Sequence, residues 1–221
     1  GIIAAGYGDG SGVIVTTLCA VPVVLWASSR YLPVSPVPPN DATKPENAHW
    51  ISRYLTPALL AIVVLAFIGN TVEFSVNDWS ALYLDTIKHA DPALAASGYT
   101  LFSVAMAVVR FAGGSIVERI GPRTLIAGGG SLMATGMLIV VLSPSALIGA
   151  FGFVVVAIGA SNIVPILTSA AARTPGVVPS LGVAALTTFM TLGMFAGPLA
   201  IGFIAQAWDL GIAFGFLAAI G

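Results

Sequence analysis

Six stretches of this chain run for roughly 20 residues with almost no charge, at about 11–29, 57–84, 95–117, 124–142, 146–170 and 182–206. An uninterrupted apolar run of that length has few folds open to it. As a helix rising 1.5 Å per residue it matches the ~30 Å hydrocarbon core of a bilayer. A helix also satisfies its own backbone N–H and C=O groups, which an apolar medium demands. A seventh apolar run opens at Gly211 and stops at Gly221. Composition agrees: 57% of residues are apolar and 8% charged, where a soluble domain carries about 25% charged residues. So few charges cannot cover a surface that faces water. The expected fold class is all-α, a polytopic membrane helical bundle, with the lipid bilayer as its partner.

The same composition excludes several functions. The formal net charge is −1 and no basic stripe is present, so no nucleic acid is expected as a partner. A single cysteine, Cys19, rules out an internal disulfide framework or a multi-cysteine zinc site. His49 and His89 lie far apart in polar segments, and neither a metal nor a cofactor is expected. There is no Gly-rich phosphate loop ending in Lys-Ser/Thr, no His-Glu-x-x-His and no Gly-x-Ser-x-Gly. No membrane-embedded pair of catalytic groups is visible either, so the chain does not read as an enzyme.

Basic residues in short loops orient membrane helices, because they stay on the cytoplasmic side. Arg30, Lys44 and Arg53 lie between the first two spans, Arg119 and Arg123 between the third and fourth, and Arg173 between the fifth and sixth. With alternating helices all six fall on one side. The opposite loops hold only Lys88. Loops 31–56, 118–123 and the one around Arg173 are therefore expected in the cytoplasm, with the chain in the cell (inner) membrane. Residues 31–56 carry Pro33, Pro36, Pro38, Pro39 and Pro45 and no apolar periodicity, the composition of an extended linker or of an ordinary long loop. Both ends of the chain fall inside apolar runs, and the expectation is a piece cut at each end.

Ionisable groups inside an apolar span are costly and need a reason. Glu73 shares one helix face with Asn70 and Asn77, three residues before and four after it. The three are candidate cavity residues. Asp78, Trp79 and Tyr83 read instead as a helix end reaching the headgroups, with the two aromatic rings as a belt. Arg110 lies about 12 Å from the end of its span, and either snorkels to the interface or faces the protein interior. Helix rise places Glu73 and Arg110 several residues apart in depth, so no direct pair is expected. Asn162 joins the candidates because Gly159-Ala-Ser161-Asn162-Ile-Val-Pro165 combines small residues, an amide and a helix breaker. Gly193 and Gly197, followed by Pro198, form a small-xxx-small face for close helix packing and a bend. Polar, Gly/Pro-interrupted helices are the sequence mark of a transport path.

One loop carries a recognisable motif. Gly114-x-x-x-Glu118-Arg119-x-Gly121-x-Arg123 reads as a tight helix–loop–helix turn, in which Gly121 frees the turn and Pro122 starts the next helix. Glu118 and Arg119 are placed to tie neighbouring helix ends. The motif resembles the cytoplasmic Gly-x-x-x-Asp-Arg-x-Gly-Arg-Arg signature of the major facilitator superfamily, in its second copy between helices eight and nine. Glu118 stands where Asp is usual, and Pro122 where a basic residue is frequent. The run Glu73-Phe-Ser-Val-Asn-Asp-Trp-Ser-Ala-Leu-Tyr-Leu84 is similar to the seventh helix of a bacterial branch near the fucose permeases. Arg110-Phe-Ala-Gly-Gly and Asn162-Ile-Val-Pro165-Ile-Leu are similar to the eighth and tenth helices of that branch.

The resemblance implies a C-terminal six-helix half plus the preceding helix. Residues 1–30 would end the N-terminal bundle, 31–56 would be the central cytoplasmic loop, and 57–221 the C-terminal bundle with its last helix truncated. It implies secondary transport of a small polar solute, with a sugar as the candidate, by alternating access about a midplane site. The missing N-terminal half of the same chain would then be a partner. The competing expectation is a non-transporting membrane sensor or assembly protein that reuses the fold.

Overall fold

The structure, a computed structural model, describes residues 56–220. The expected span at 11–29, and the linker at 31–56 apart from Thr56, lie outside the described residues. Among those described, all regular structure is helical: α1 (Pro57–Thr86), α2 (Pro92–Ile120), α3 (Pro122–Leu142), α4 (Ala146–Ala160), α5 (Ile163–Ala172), α6 (Pro179–Ala207) and α7 (Leu210–Ile220). α1, α2, α3, α6 and the α4–α5 pair taken together are each long and apolar enough to cross a bilayer, while α7 is shorter. The six runs at 57–206 and beyond thus appear at the expected places, with one difference. The run at 146–170 is two helices, interrupted at Ser161 and Asn162.

The helix starts follow from local chemistry. α1, α2, α3 and α6 each begin on a proline, whose missing N–H would have had no intrahelical partner anyway. Thr56 caps α1 by accepting from the Leu59 N–H at 3.2 Å. Asp91 caps α2 by accepting from Ala93 and Leu94 at 3.0 and 3.2 Å. Gly121, at φ +86°, ends α2 and opens α3 within one residue, a conformation that favours glycine. At the opposite end of the bundle Lys88 donates to the carbonyls of Val141 and Ser143 at 3.1 and 2.6 Å. It thereby satisfies orphan acceptors at the C-terminus of α3.

Two glycine seams set how closely the helices approach. Along α3 and α4, a Cβ on Gly136 would meet the Val156 nitrogen at 2.6 Å and the Gly152 carbonyl at 2.8 Å. One on Gly159 would meet the Gly129 carbonyl at 2.5 Å. Along α1 and α6, Gly193 rests on the Phe67 carbonyl and Gly197 on the Thr71 carbonyl, with Ser75 Oγ at 2.6 Å from where a Cβ would stand. Backbone-to-backbone contact of this kind gains dispersion energy that lipid tails cannot supply. The outward surface is apolar, with Phe111, Leu147 and Phe203 largely exposed. That is tolerable where lipid is the solvent and costly in water.

The aromatic belt expected at Trp79 and Tyr83 is not there. Tyr83 is 1% exposed and stacks on Phe214 with ring centroids 4.2 Å apart. Phe153 meets both rings edge-on, and the Tyr83 hydroxyl donates to the Val140 carbonyl at 3.4 Å. Trp79 is half-buried against Gly202 of α6. The reason is that α1 is a central helix whose buried face, from Val76 through Ser80 to Tyr83 and Leu84, continues almost to its end. Asp78, on the other side of the helix, is exposed.

Replacing Gly197 by leucine should force α1 and α6 apart, costing about 1–3 kcal/mol or more. Its thermal midpoint in detergent, measured on the full-length protein, should fall by several degrees. Gly130→Leu on α3, where a side chain enters open space, should leave the midpoint unchanged.

Candidate functional site

Glu73 sits midway along α1 on its buried face, and its side chain is 10% exposed. Arg110 lies across from it on α2. Its Nη2 donates to Glu73 Oε1 at 3.1 Å, the only ion pair among the described residues. The sequence expectation of no direct pair is therefore corrected. Counted from the α1–α2 turn, the two residues lie about 20 and 27 Å along their helices. The Cα–Cβ bond in a helix tilts toward the N-terminus, and these helices run in opposite directions. Glu73 leans away from the turn and Arg110 leans back toward it. The long arginine stem closes the remaining gap.

Arg110 is held at a second point. Its Nε donates to the Ser161 carbonyl at 3.1 Å, in the break between α4 and α5. Around the break the local polar groups satisfy one another. Ser161 Oγ donates to the Ile158 carbonyl at 2.8 Å and accepts from Asn162 Nδ2 at 3.1 Å. Asn162 Oδ1 occupies the space where a side chain on Gly113 of α2 would begin. Gly113, one turn from Arg110, is what lets the amide reach this position. Glu73, Arg110 and Asn162 thus converge from α1, α2 and the α4–α5 break, and no charge or amide among them is left without a partner.

Two hollows meet at Arg110. One, of about 440 Å³, is lined by Asn77, Ser103, Phe102, Met106 and Phe111. The other, of about 690 Å³, runs toward the α2–α3 turn along Gly114, Glu118, Arg123, Asn162, Pro165 and Arg173. The arginine side chain remains 44% exposed between them. The paired charges make the centre electrically neutral, while the second hollow carries two further guanidinium groups against one carboxylate.

The other expected residues are placed differently. Asn70 is buried, and its Nδ2 donates to the Met190 carbonyl of α6 at 3.0 Å. It fastens α1 to α6 beside Thr71, whose hydroxyl reaches the Gly193 carbonyl at 3.4 Å. Asn77 lines the first hollow and makes no side-chain hydrogen bond to the pair. Glu118, Arg119 and Arg123 surround the glycine turn, and none forms an ion pair with another described residue. Pro198 lies inside α6 and lines a groove of about 650 Å³ with Phe74, Asp78 and Trp79. Sequence reasoning missed Gly113 and the Ser161 carbonyl. The first had one in the small residues that follow Arg110, read there only as a resemblance. The second had one: a proline four residues later.

Comparison with known proteins adds the lineage. The sequence model described as Major Facilitator Superfamily matches residues 3–181 and again 89–221. The chain is 39% identical over 160 residues to an uncharacterised MFS-type transporter of Yersinia pestis, covering 72% of this chain and 42% of that protein. It is 32% identical over 182 residues to the membrane protein MosC of Rhizobium meliloti, covering 82% and 45%. It is 31% identical over 156 residues to an uncharacterised transporter of Sinorhizobium fredii, covering 71% and 41%. The chain therefore spans less than half the length of these curated relatives.

Gly113→Ala should displace the Asn162 amide and lower the thermal midpoint of the full-length protein. Gly113→Ala with Asn162→Ala should recover part of that loss, since the alanine at 162 removes the obstructing oxygen. An equal loss in both would contradict the contact.

Proposed function

The chain belongs to the Major Facilitator Superfamily, and on that premise we propose that it is the C-terminal portion of a secondary active transporter. The family is one of transporters and not of enzymes, and two of the relatives carry that description in their names. The proposed cargo is a small polar solute, moved by alternating access about a site near the middle of the bundle. The observation that carries this reading is the Glu73–Arg110 pair. A charged pair amid membrane-length helices is costly to maintain. It stands beside a broken span and between two hollows, where a solute would exchange one set of hydrogen bonds for another. On this proposal Asn77, Arg110 and Asn162 contact the solute, and Glu73 holds the arginine. The loop from Gly114 to Arg123 is the element that shifts between states.

A sugar is the proposed solute class. What supports it is the electrical neutrality of the paired centre, the amide and hydroxyl groups of Asn77 and Ser103 beside the Phe102 and Phe111 rings, and the resemblance of Glu73–Leu84 to the branch near the fucose permeases. Placement in the inner membrane, with the loops at 118–123 and around Arg173 in the cytoplasm, is supported by the six basic residues on one side of the expected topology. The N-terminal half of the transporter would supply the facing wall.

Uptake by the full-length protein tests the reading. A panel of radiolabelled neutral monosaccharides should include at least one taken up faster than by vector-only cells. Glu73→Gln should then reduce the initial rate at least tenfold at unchanged abundance in the membrane. An undiminished rate would remove Glu73 from the site, and no uptake across the panel would contradict the sugar assignment.

A further inference from the structure

We propose that Pro165 is the positioning residue of this site: because it has no N–H, it leaves the Ser161 carbonyl to Arg110, and so fixes the guanidinium against Glu73. In an α-helix the carbonyl of residue i accepts from the N–H of residue i+4. For Ser161 that residue is Pro165, which has no proton to give. The backbone bonds that bracket the break run from the Ser161 N–H to Ala157 at 3.1 Å and from the Ile166 N–H to Asn162 at 3.3 Å. Within the break, the carbonyl that the proline leaves without its i+4 donor is the one that Arg110 Nε reaches at 3.1 Å.

The consequence for the arginine is orientation as well as partnership. A guanidinium is planar and carries five N–H donors in a fixed fork. Anchored through Nε at Ser161 and through Nη2 at Glu73, its plane is defined by two acceptors on two different helices. Three N–H bonds remain for the hollows that Arg110 lines. An N–H at position 165 would give the Ser161 carbonyl a competing donor within its own segment. The Ser161 carbonyl would then lie along the helix axis and beneath the next turn, out of reach of α2. Arg110 would keep only the single bond to Glu73, about which the side chain can swing. Pro165 touches neither partner of the ion pair through any polar atom, so it acts on the site through the arginine. The placement does not depend on which solute is carried, and it stands or falls independently of the transport reading.

The test is a set of variants of the full-length protein in detergent, with two readouts. The first is the thermal midpoint in two backgrounds. Arg110→Lys should lower it, because one ammonium cannot bridge both acceptors as the fork does. Pro165→Ala should then raise the midpoint of Arg110→Lys by about 2–4 °C, since the restored N–H takes the carbonyl and frees the lysine for Glu73. In the wild-type background Pro165→Ala should give no rise. The second readout is the rate of phenylglyoxal modification of Arg110, followed by mass spectrometry with Arg123 and Arg173 as internal references. Pro165→Ala should speed it severalfold relative to both references, while Ser161→Ala, which keeps the carbonyl, should not. Pro165→Ser is read alongside Pro165→Ala, because a residue with an N–H should be accepted here. The same midpoint shift in both backgrounds, an unchanged modification rate, or loss of folded protein in both replacements of Pro165 would each overturn the proposal.

Discussion

A charge inside an apolar bundle must be met by a partner of fixed geometry, and in this chain that requirement falls on Arg110. Its two hydrogen bonds, to Glu73 on α1 and to the Ser161 carbonyl in the α4–α5 break, tie three elements at one point. Neither acceptor is stable without the arginine. A buried carboxylate alone carries an uncompensated charge, and a backbone carbonyl with no donor carries a desolvation cost. The break itself is tolerated for the same reason. Non-helical backbone at membrane depth persists only where protein groups satisfy it, and here the arginine meets the Ser161 carbonyl and the Ser161 hydroxyl meets that of Ile158.

Around that point the bundle is assembled by close approach. The α3–α4 seam rests on Gly129, Gly136, Gly152 and Gly159, and the α1–α6 seam on Gly193 and Gly197. The buried amide of Asn70 and the hydroxyl of Thr71 add directional bonds to α6. The more open surface lies at Arg110 and its two hollows. On the proposed transport reading, the close-packed seams would hold helices together and the hollows would receive the solute.

Most of the fold was legible in the sequence because hydrophobic length is a direct physical measure. The spans at 57–84 and 182–206 match α1 and α6 to within a few residues, and Pro122 starts α3 as its place in the loop motif indicates. The Gly193–Gly197 face was legible too, since spacing alone places both on one side of a helix. The ion pair was not. Helix rise gives the depth of a Cα, but the tilt of two side chains toward each other closes a gap that rise alone suggests is open. Tyr83 misled for a related reason: an aromatic near a span end reads as a headgroup anchor unless the helix is central, and centrality is a property of the assembled bundle. The break at Ser161 was half legible, as Pro165 announced it, while the donor that completes it sits 51 residues away on α2.

The central claim is that Glu73 and Arg110 act as one unit. A double-mutant cycle on the full-length protein measures this directly, with Glu73→Gln, Arg110→Gln and the combined variant followed by thermal unfolding in detergent. Two groups in contact should show a coupling of about 0.5–3 kcal/mol. Arg110→Gln should be the worst of the three, because it strands a carboxylate that is 10% exposed, and the combined variant should recover part of the loss. Additive shifts, with the combined variant as unstable as the sum of the two, would contradict the pair as the organising contact.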